Sequence, residues 1–310
     1  MTWKIALAGI GKIARDQHVP SIAASADFEL AATVTRHEGV DDIENYTDID
    51  AMLEARPDIE VVSLCLPPVP RFEYAAAAIK AGRHVMLEKP PGATLAECHA
   101  LETMAREAGV SIFATWHSRE AASVEAARSW LAGKTLKSLK ITWLEDVRRW
   151  HPGQAWIWEP GGLGVFDPGI NALSILTRIL QTPVHLASAT LKFPENRQTP
   201  IAADLVFRHP DNASVSASFD WRKEGDQYWN IEAETDHGTM VLSAGGADLS
   251  INGSPVDTSG VALEGEYPNL YKRMAELLKT GEIDMDLSPM VHVADAFLLG
   301  KREIVEPFDE

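Results

Sequence analysis

The sequence predicts an α/β chain of two domains, a doubly wound parallel sheet over residues 1–119 followed by an α+β domain on a largely antiparallel sheet over residues 120–310. Short β-rich runs alternate with helical runs through the first part, the signature of a parallel sheet with crossover helices. A tight glycine turn, Gly9-Ile10-Gly11-Lys12-Ile13-Ala14, stands between the first apolar run and the first helical one. After about residue 120 the rhythm changes to consecutive strands of alternating polarity, which suits an antiparallel sheet with one wet face.

Strands are expected over Lys4 to Ala8, Phe28 to Thr35, Glu60 to Leu66, His84 to Glu88 and Ser111 to Thr115. Helices fall between them over Ile13 to Ala24, Asp48 to Ala55, Phe72 to Lys80 and Leu95 to Glu107. Gly82 and Gly109 read as helix stops, and Thr94 with Glu97 as a capping box. The second part reads as a helix over Glu120 to Leu131, a strand ending in Trp143, a Gly/Pro/Trp-rich stretch and a helix over Gly169 to Leu180. Strands such as Ala213 to Trp221 and Trp229 to Thr235 follow, and helices over Tyr267 to Lys279 and Ser288 to Leu299 close the chain.

A chain of 310 residues is too long for one ordinary core, and it suits two domains of roughly 100 to 200 residues each. The net charge of -17 argues against nucleic acid and against an anionic membrane, since phosphate binding needs a basic stripe. The apolar run Ile5 to Ile10 is too short to span a bilayer and is followed by no small-residue cleavage site, so a cytoplasmic protein is expected. Cys65 and Cys98 have neither metal-ligand nor disulfide spacing, so no metal is expected and the thiols read as structural. The alternation of the second-domain sheet would allow a face-to-face homodimer.

The pattern Gly9-x-Gly11-x-x-Ala14 follows a strand and opens a helix, so the turn is tight, the backbone can approach a pyrophosphate and the helix N-terminus faces that charge. This is the context of a Rossmann dinucleotide site, in which Ile10, Lys12 and Ile13 complete the loop and Leu66 and Glu88 end neighbouring strands. An NAD enzyme usually carries an acid at the end of the second strand, for the ribose 2'-hydroxyl. Here that strand ends Val34-Thr35-Arg36-His37. Arg36, helped by the Thr35 hydroxyl, could pair with a 2'-phosphate, which points to NADP with NAD possible. A solvated surface arginine is the plainer alternative.

Glu88-Lys89-Pro90-Pro91 stands at the carboxyl edge of the sheet, where open α/β domains bind ligands. A lysine there faces the nicotinamide half of the cleft, and the prolines fix its backbone. The glycine loop, this Glu-Lys-Pro and the later Gly161-Gly162-Leu163-Gly164-Val165-Phe166-Asp167-Pro168-Gly169 together resemble the glucose-fructose oxidoreductase / inositol dehydrogenase (Gfo/Idh/MocA) family. The resemblance runs over essentially the whole chain. The segments Gly9 to His18, Glu88 to Thr94, Ala114 to Ser118 and Glu145 to Gln154 resemble more narrowly the bacterial L-arabinose and D-galactose 1-dehydrogenases.

The resemblance implies an NAD(P)-dependent oxidation of a small aldose at its anomeric carbon, with Lys89 and Asp167 beside the reacting carbon. That chemistry needs a base for the hydroxyl proton and a nearby stabilising cation; Asp167 and Lys89 suit those roles. Asp167 also suits a simple helix N-cap. Asn171, four residues on, shares a face with Asp167 if both are helical; the family often carries His there, and an amide cannot accept a proton at neutral pH. His117, at the same sheet edge as Lys89, and Glu145 are expected to contact sugar hydroxyls. Trp150 and Trp229 are expected in the pocket, offering a flat apolar face and an N–H donor. A non-catalytic NADP-binding sensor would lack Lys89 or Asp167, and a reductase of the same family acting on another substrate would not need the tryptophan set.

Overall fold

The computed structural model describes residues 2–258 and 265–309. The apolar runs of the first part form six parallel strands, β1 (Trp3–Ala8), β2 (Phe28–Val34), β3 (Asn45–Tyr46), β4 (Val61–Leu64), β5 (His84–Leu87) and β6 (Ile112–Ala114). Their order is β3-β2-β1-β4-β5-β6, so the chain reverses direction across the sheet between β1 and β4, the point at which such sheets bind ligands. Ile5, Leu7, Val62 and Leu64 are fully buried, as strands covered on both faces must be. The short edge strand β3 carries no apolar run and is held by side chains, with the Thr33 hydroxyl 2.8 Å from Asn45 Oδ1.

Crossover helices cover the faces. Asp48 caps the helix Ile49–Ala55 through the Ala51 N–H, and Thr94 and Glu97 form the expected reciprocal box ahead of the helix Leu95–Ala108. Gly109 ends that helix in the left-handed conformation. The helix Glu266–Thr280, late in the sequence, belongs to this first body: Tyr267, Leu270, Tyr271, Met274 and Leu277 pack into one core cluster with Ile5, Leu7 and Met86.

The chain therefore divides into Met1–His117 with Glu264–Leu287, and Ser118–Leu263 with Ser288–Glu310. The expected second domain, 120–310, is interrupted because the apolar stripe of the helix Glu266–Thr280 completes the core of the Rossmann sheet. Sequence order alone carries no sign of that return.

Among the described residues of the second unit nine strands form one mixed sheet: β7 (Leu136–Leu144), β8 (His185–Pro194), β9 (Ala202–Arg208), β10 (Ser214–Asp220), β11 (Tyr228–Thr235), β12 (Gly238–Ser243), β13 (Asp248–Ile251), β14 (Ser254–Pro255) and β15 (Lys301–Val305). The order is β14-β13-β12-β11-β7-β10-β9-β8-β15. Two pairs are parallel, β7 with β10 and β8 with β15, and the others are antiparallel. Val215, Ala217 and Phe219 of β10 point to the core while Ser214, Ser216 and Ser218 alternate to the other face. The helix Phe166–Ile179 lies on the core face, and a Cβ on its Gly169 would come within 3.2 Å of the Phe219 ring.

Candidate active site

The glycine turn fits a dinucleotide. Gly9 has φ of +87°, and a Cβ there would stand 2.8 Å from the Leu66 backbone N, so only glycine lets the chain after β4 approach the turn. That approach is what brings Leu66 to the loop. A Cβ on Gly11 would meet nothing within 4 Å, which leaves the mouth of the turn open for a pyrophosphate. Ile10 is buried, Ile13 is partly exposed, and the Lys12 ammonium pairs with Asp16 one turn on. Arg15 donates to the carbonyls of Glu38 and Gly39, 2.8 and 3.0 Å away, tying this helix to the loop after β2. In that loop the buried Thr35 hydroxyl accepts the His37 N–H at 3.1 Å, so it shapes the turn. Arg36 is exposed beside it.

Beyond β5 the chain enters the Glu-Lys-Pro turn, which Arg71 clamps by donating to the carbonyls of Leu66, Glu88 and Pro90. Glu88 is 4% exposed. Its Oε2 accepts the Lys89 backbone N–H at 2.7 Å, and its Oε1 accepts the Tyr267 hydroxyl at 2.8 Å. The imidazole of His18, fully buried, sets Nε2 3.3 Å from Glu88 Oε1 and Nδ1 2.7 Å from the Tyr271 hydroxyl. Burial alone would raise the Glu88 pKa; hydrogen bonding and charge from His18, with the charges of His117 and Lys89, outweigh it and hold the carboxyl down to about 2. Burial opposes a charge on His18, but the facing Cys65, Tyr271 and Glu88 more than offset it and hold the imidazole well above its ordinary value. Burial, then the Glu88 charge, push the Tyr267 hydroxyl up. Glu88 thus sits beneath the Lys89 peptide as its anchor.

His117 follows β6 at the same edge. Its Nδ1 lies 2.6 Å from Glu266 Oε2, and its ring stacks on Tyr267 at a centroid distance of 5.4 Å. Tyr267 was legible only as the start of a late helix and Glu266 not at all, and His18 was visible only as the end of the glycine-loop segment.

In the second unit the turn before the helix Phe166–Ile179 is fixed by Gly164, whose φ is +55° and whose Cβ would lie 2.4 Å from the Pro200 carbonyl oxygen. Val165 N–H donates to that same carbonyl at 2.7 Å. The helix begins at Phe166 rather than Gly169, so Asp167 lies in its first turn and Val165 occupies the cap position. Asp167 is buried and Asn171 half-buried, on one helical face as the spacing requires. Facing Asp167 is a residue the sequence reading passed over, His151, with Nε2 3.2 Å from Asp167 Oδ2.

Glu145, at the end of β7, is also buried. Its two oxygens accept the indole N–H groups of Trp221 at 3.1 Å and Trp229 at 2.9 Å. Trp150 donates to Gln227 Oε1 at 3.3 Å and packs beside Trp229 at 5.7 Å. Both pocket tryptophans expected from the sequence are therefore neighbours, with their N–H donors engaged by protein groups. Asp146 caps the following turn and pairs with Arg148.

Among the described residues no helix is long and apolar enough to cross a membrane, and no cluster of side chains could hold a metal. Residues 3–115 match the Gfo/Idh/MocA family model, described as an oxidoreductase family with an NAD-binding Rossmann fold. A 3-ketoreductase from Actinomadura kijaniata, solved with NADP and TDP-benzene, shares the fold at 16% identity and a TM-score of 0.83, over 98% of this chain and 100% of that one. The solved D-galactose-1-dehydrogenase of Rhizobium etli is 56% identical, with a TM-score of 0.95 over 99% of this chain and 98% of that one. The galactose 1-dehydrogenase of Pseudomonas fluorescens is 42% identical over 98% of each chain. With both units inside that similarity, the chain belongs to the Gfo/Idh/MocA family and is an NAD(P)-dependent oxidoreductase.

Proposed function

We propose that this enzyme is an aldose 1-dehydrogenase, oxidising the anomeric hydroxyl of D-galactose, L-arabinose and D-fucose in their pyranose forms to the lactone, with NADP preferred over NAD. One observation carries the reading: the two galactose 1-dehydrogenases are similar to this chain over nearly its full length, so the residues of the second unit fall within the likeness as well as the Rossmann sheet. Bound nicotinamide supplies the hydride acceptor. In this reading Asp167 takes the proton of the C1 hydroxyl, and Lys89 polarises the C1 oxygen. Asn171 and His117 hydrogen-bond the remaining hydroxyls, while Trp150 and Trp229 supply the apolar wall for the C–H face of the sugar. Glu145 contributes by fixing Trp229.

The preference for NADP rests on Arg36, which is exposed at the end of β2 and holds no ion pair among the described residues, with no carboxylate in the segment Val34-Thr35-Arg36-His37 to select a ribose hydroxyl. The test is a panel of aldoses with NADP and with NAD, followed by absorbance of the reduced nicotinamide, on the native chain and on Arg36→Ala. Galactose, L-arabinose and D-fucose should turn over. D-Glucose, inverted at C4, should be much poorer, because a misplaced hydroxyl leaves buried polar groups unpaired. Arg36→Ala should weaken NADP by about 10-fold or more and NAD little. No turnover with any aldose would overturn the assignment, and equal losses for both cofactors would remove Arg36 from phosphate recognition.

A further inference from the structure

Each oxidation leaves a proton on the base, and a base enclosed by protein must lose it before the next turnover. Asp167 has 4% of its side chain exposed, and the group against it, His151, has 18%. The imidazole stands between Trp150 and Pro152, just after the turn that Asp146 caps. Two contacts hold it: Nδ1 lies 3.3 Å from Gln154 Oε1, and the ring packs 5.3 Å from the Trp221 indole. Trp221 is itself fixed by its N–H bond to Glu145. Oriented in this way, Nε2 is directed at Asp167 Oδ2, 3.2 Å away.

We infer that His151 is the outlet for the proton that Asp167 takes from the sugar, a positioning and relay residue acting through Asp167. The inference rests on the reading of Asp167 as the base. The anomeric O–H bond breaks and its proton passes to Asp167; the C1–H bond breaks with its electron pair leaving as hydride to the oxidised nicotinamide, and C1 gains its second bond to oxygen. Asp167 then passes the proton to His151 Nε2. A hydrogen on Nδ1, donated to Gln154 Oε1, leaves Nε2 bare to receive it. The imidazolium, whose side chain is 18% exposed, then loses one proton to water, so one proton is released per sugar oxidised. Asn171, on the same helix, has an amide that cannot do this, and His151 brings an imidazole to the carboxylate from a different element.

His151→Ala should lower kcat by about 10- to 100-fold with galactose and NADP, leave both KM values within a few fold, and recover with added imidazole. His151→Gln, whose amide N–H can still orient Asp167, should be as slow as the alanine variant. Near-native kcat in His151→Gln overturns the relay even if the alanine variant fails to fold. So does a loss in His151→Ala that imidazole does not relieve. In the cofactor-free chain, the ring nitrogens of His151 should shift by NMR on Asp167→Asn; an unmoved signal overturns the contact itself. Near-native turnover in Asp167→Ala would instead remove Asp167 as the base, whatever the His151 variants do.

Discussion

Glu88 and Asp167 make a natural pair for comparison. Each is a carboxylate with 4% of its side chain exposed, and each faces an imidazole nitrogen, His18 at 3.3 Å and His151 at 3.2 Å. The imidazoles differ. His18 is wholly enclosed, with its second nitrogen on the Tyr271 hydroxyl, whereas His151 reaches the surface with 18% of its side chain. Both nitrogens of the first imidazole are taken by protein groups, and its carboxylate is occupied by the Lys89 N–H and the Tyr267 hydroxyl. On the proposed reading the same two functional groups serve a structural clamp in one place and a site of proton exchange in the other, and the exposure of the imidazole separates them.

Substitution at the two carboxylates should separate these roles. Asp167→Ala, and Lys89→Ala with it, should each lower kcat by about 100-fold or more while cofactor binding, read by fluorescence titration of the reduced nicotinamide, stays near native. Glu88→Gln should act on stability first, by about 3 to 5 kcal/mol, because removing one charge of an enclosed pair leaves the other uncompensated. An Asp167 variant that melted early and turned over normally would reverse the comparison.

The pH dependence of stability follows from the signs of the two shifts in the first unit. Glu88 is held at about 2 against an ordinary 4.5, so its contribution is present above 4.5 and is lost as pH falls toward 2. His18 is held well above 6.5, so its contribution is complete below 6.5 and is lost as pH rises through the folded value. Calorimetric melting temperature should therefore fall on both sides of a plateau between those two ordinary values. His18→Asn should flatten the alkaline limb. An unchanged alkaline limb in that variant would mean that His18 does not carry the charge.

What the sequence made legible was local. The capping box Thr94–Glu97, the stop at Gly109 and the strand-turn-helix around Gly9 each depend on residues within one or two turns, and each stands where the pattern placed it. The distant pairings were not legible. Tyr267 reaches Glu88 across 179 positions and His18 reaches it across 70, joined by a helix whose return to the Rossmann core leaves no mark on its neighbours in sequence. The helix carrying Asp167 begins early because Gly164 sits against Pro200, a contact outside any local window. Trp150 and Trp229 could each be expected in a pocket from their residue type, but the capture of their N–H groups by Gln227 and Glu145 depends on which strands meet.

Glu145 sharpens the comparison with a third outcome. It is as enclosed as the other two carboxylates, at 6% exposed, yet its contacts with Trp221 and Trp229 are to indole N–H groups, which donate and do not titrate. A carboxylate with such partners neither clamps a charge nor passes a proton through them; it sets the angle of two indoles, the buried Trp221 and the Trp229 of the proposed sugar wall. Glu145→Gln keeps the size of the side chain but turns one end into a donor, so one indole N–H loses its acceptor, a change worth on the order of 1 kcal/mol. Because a tilted wall weakens sugar binding in the ground and transition states alike, KM for galactose should rise by about 3- to 10-fold with kcat nearly unchanged. Trp229→Phe, which removes the same N–H and retains an apolar face, should give a similar rise. A drop in kcat of the size expected for Asp167→Ala would place Glu145 in the proton chemistry and end its separation from the other two carboxylates.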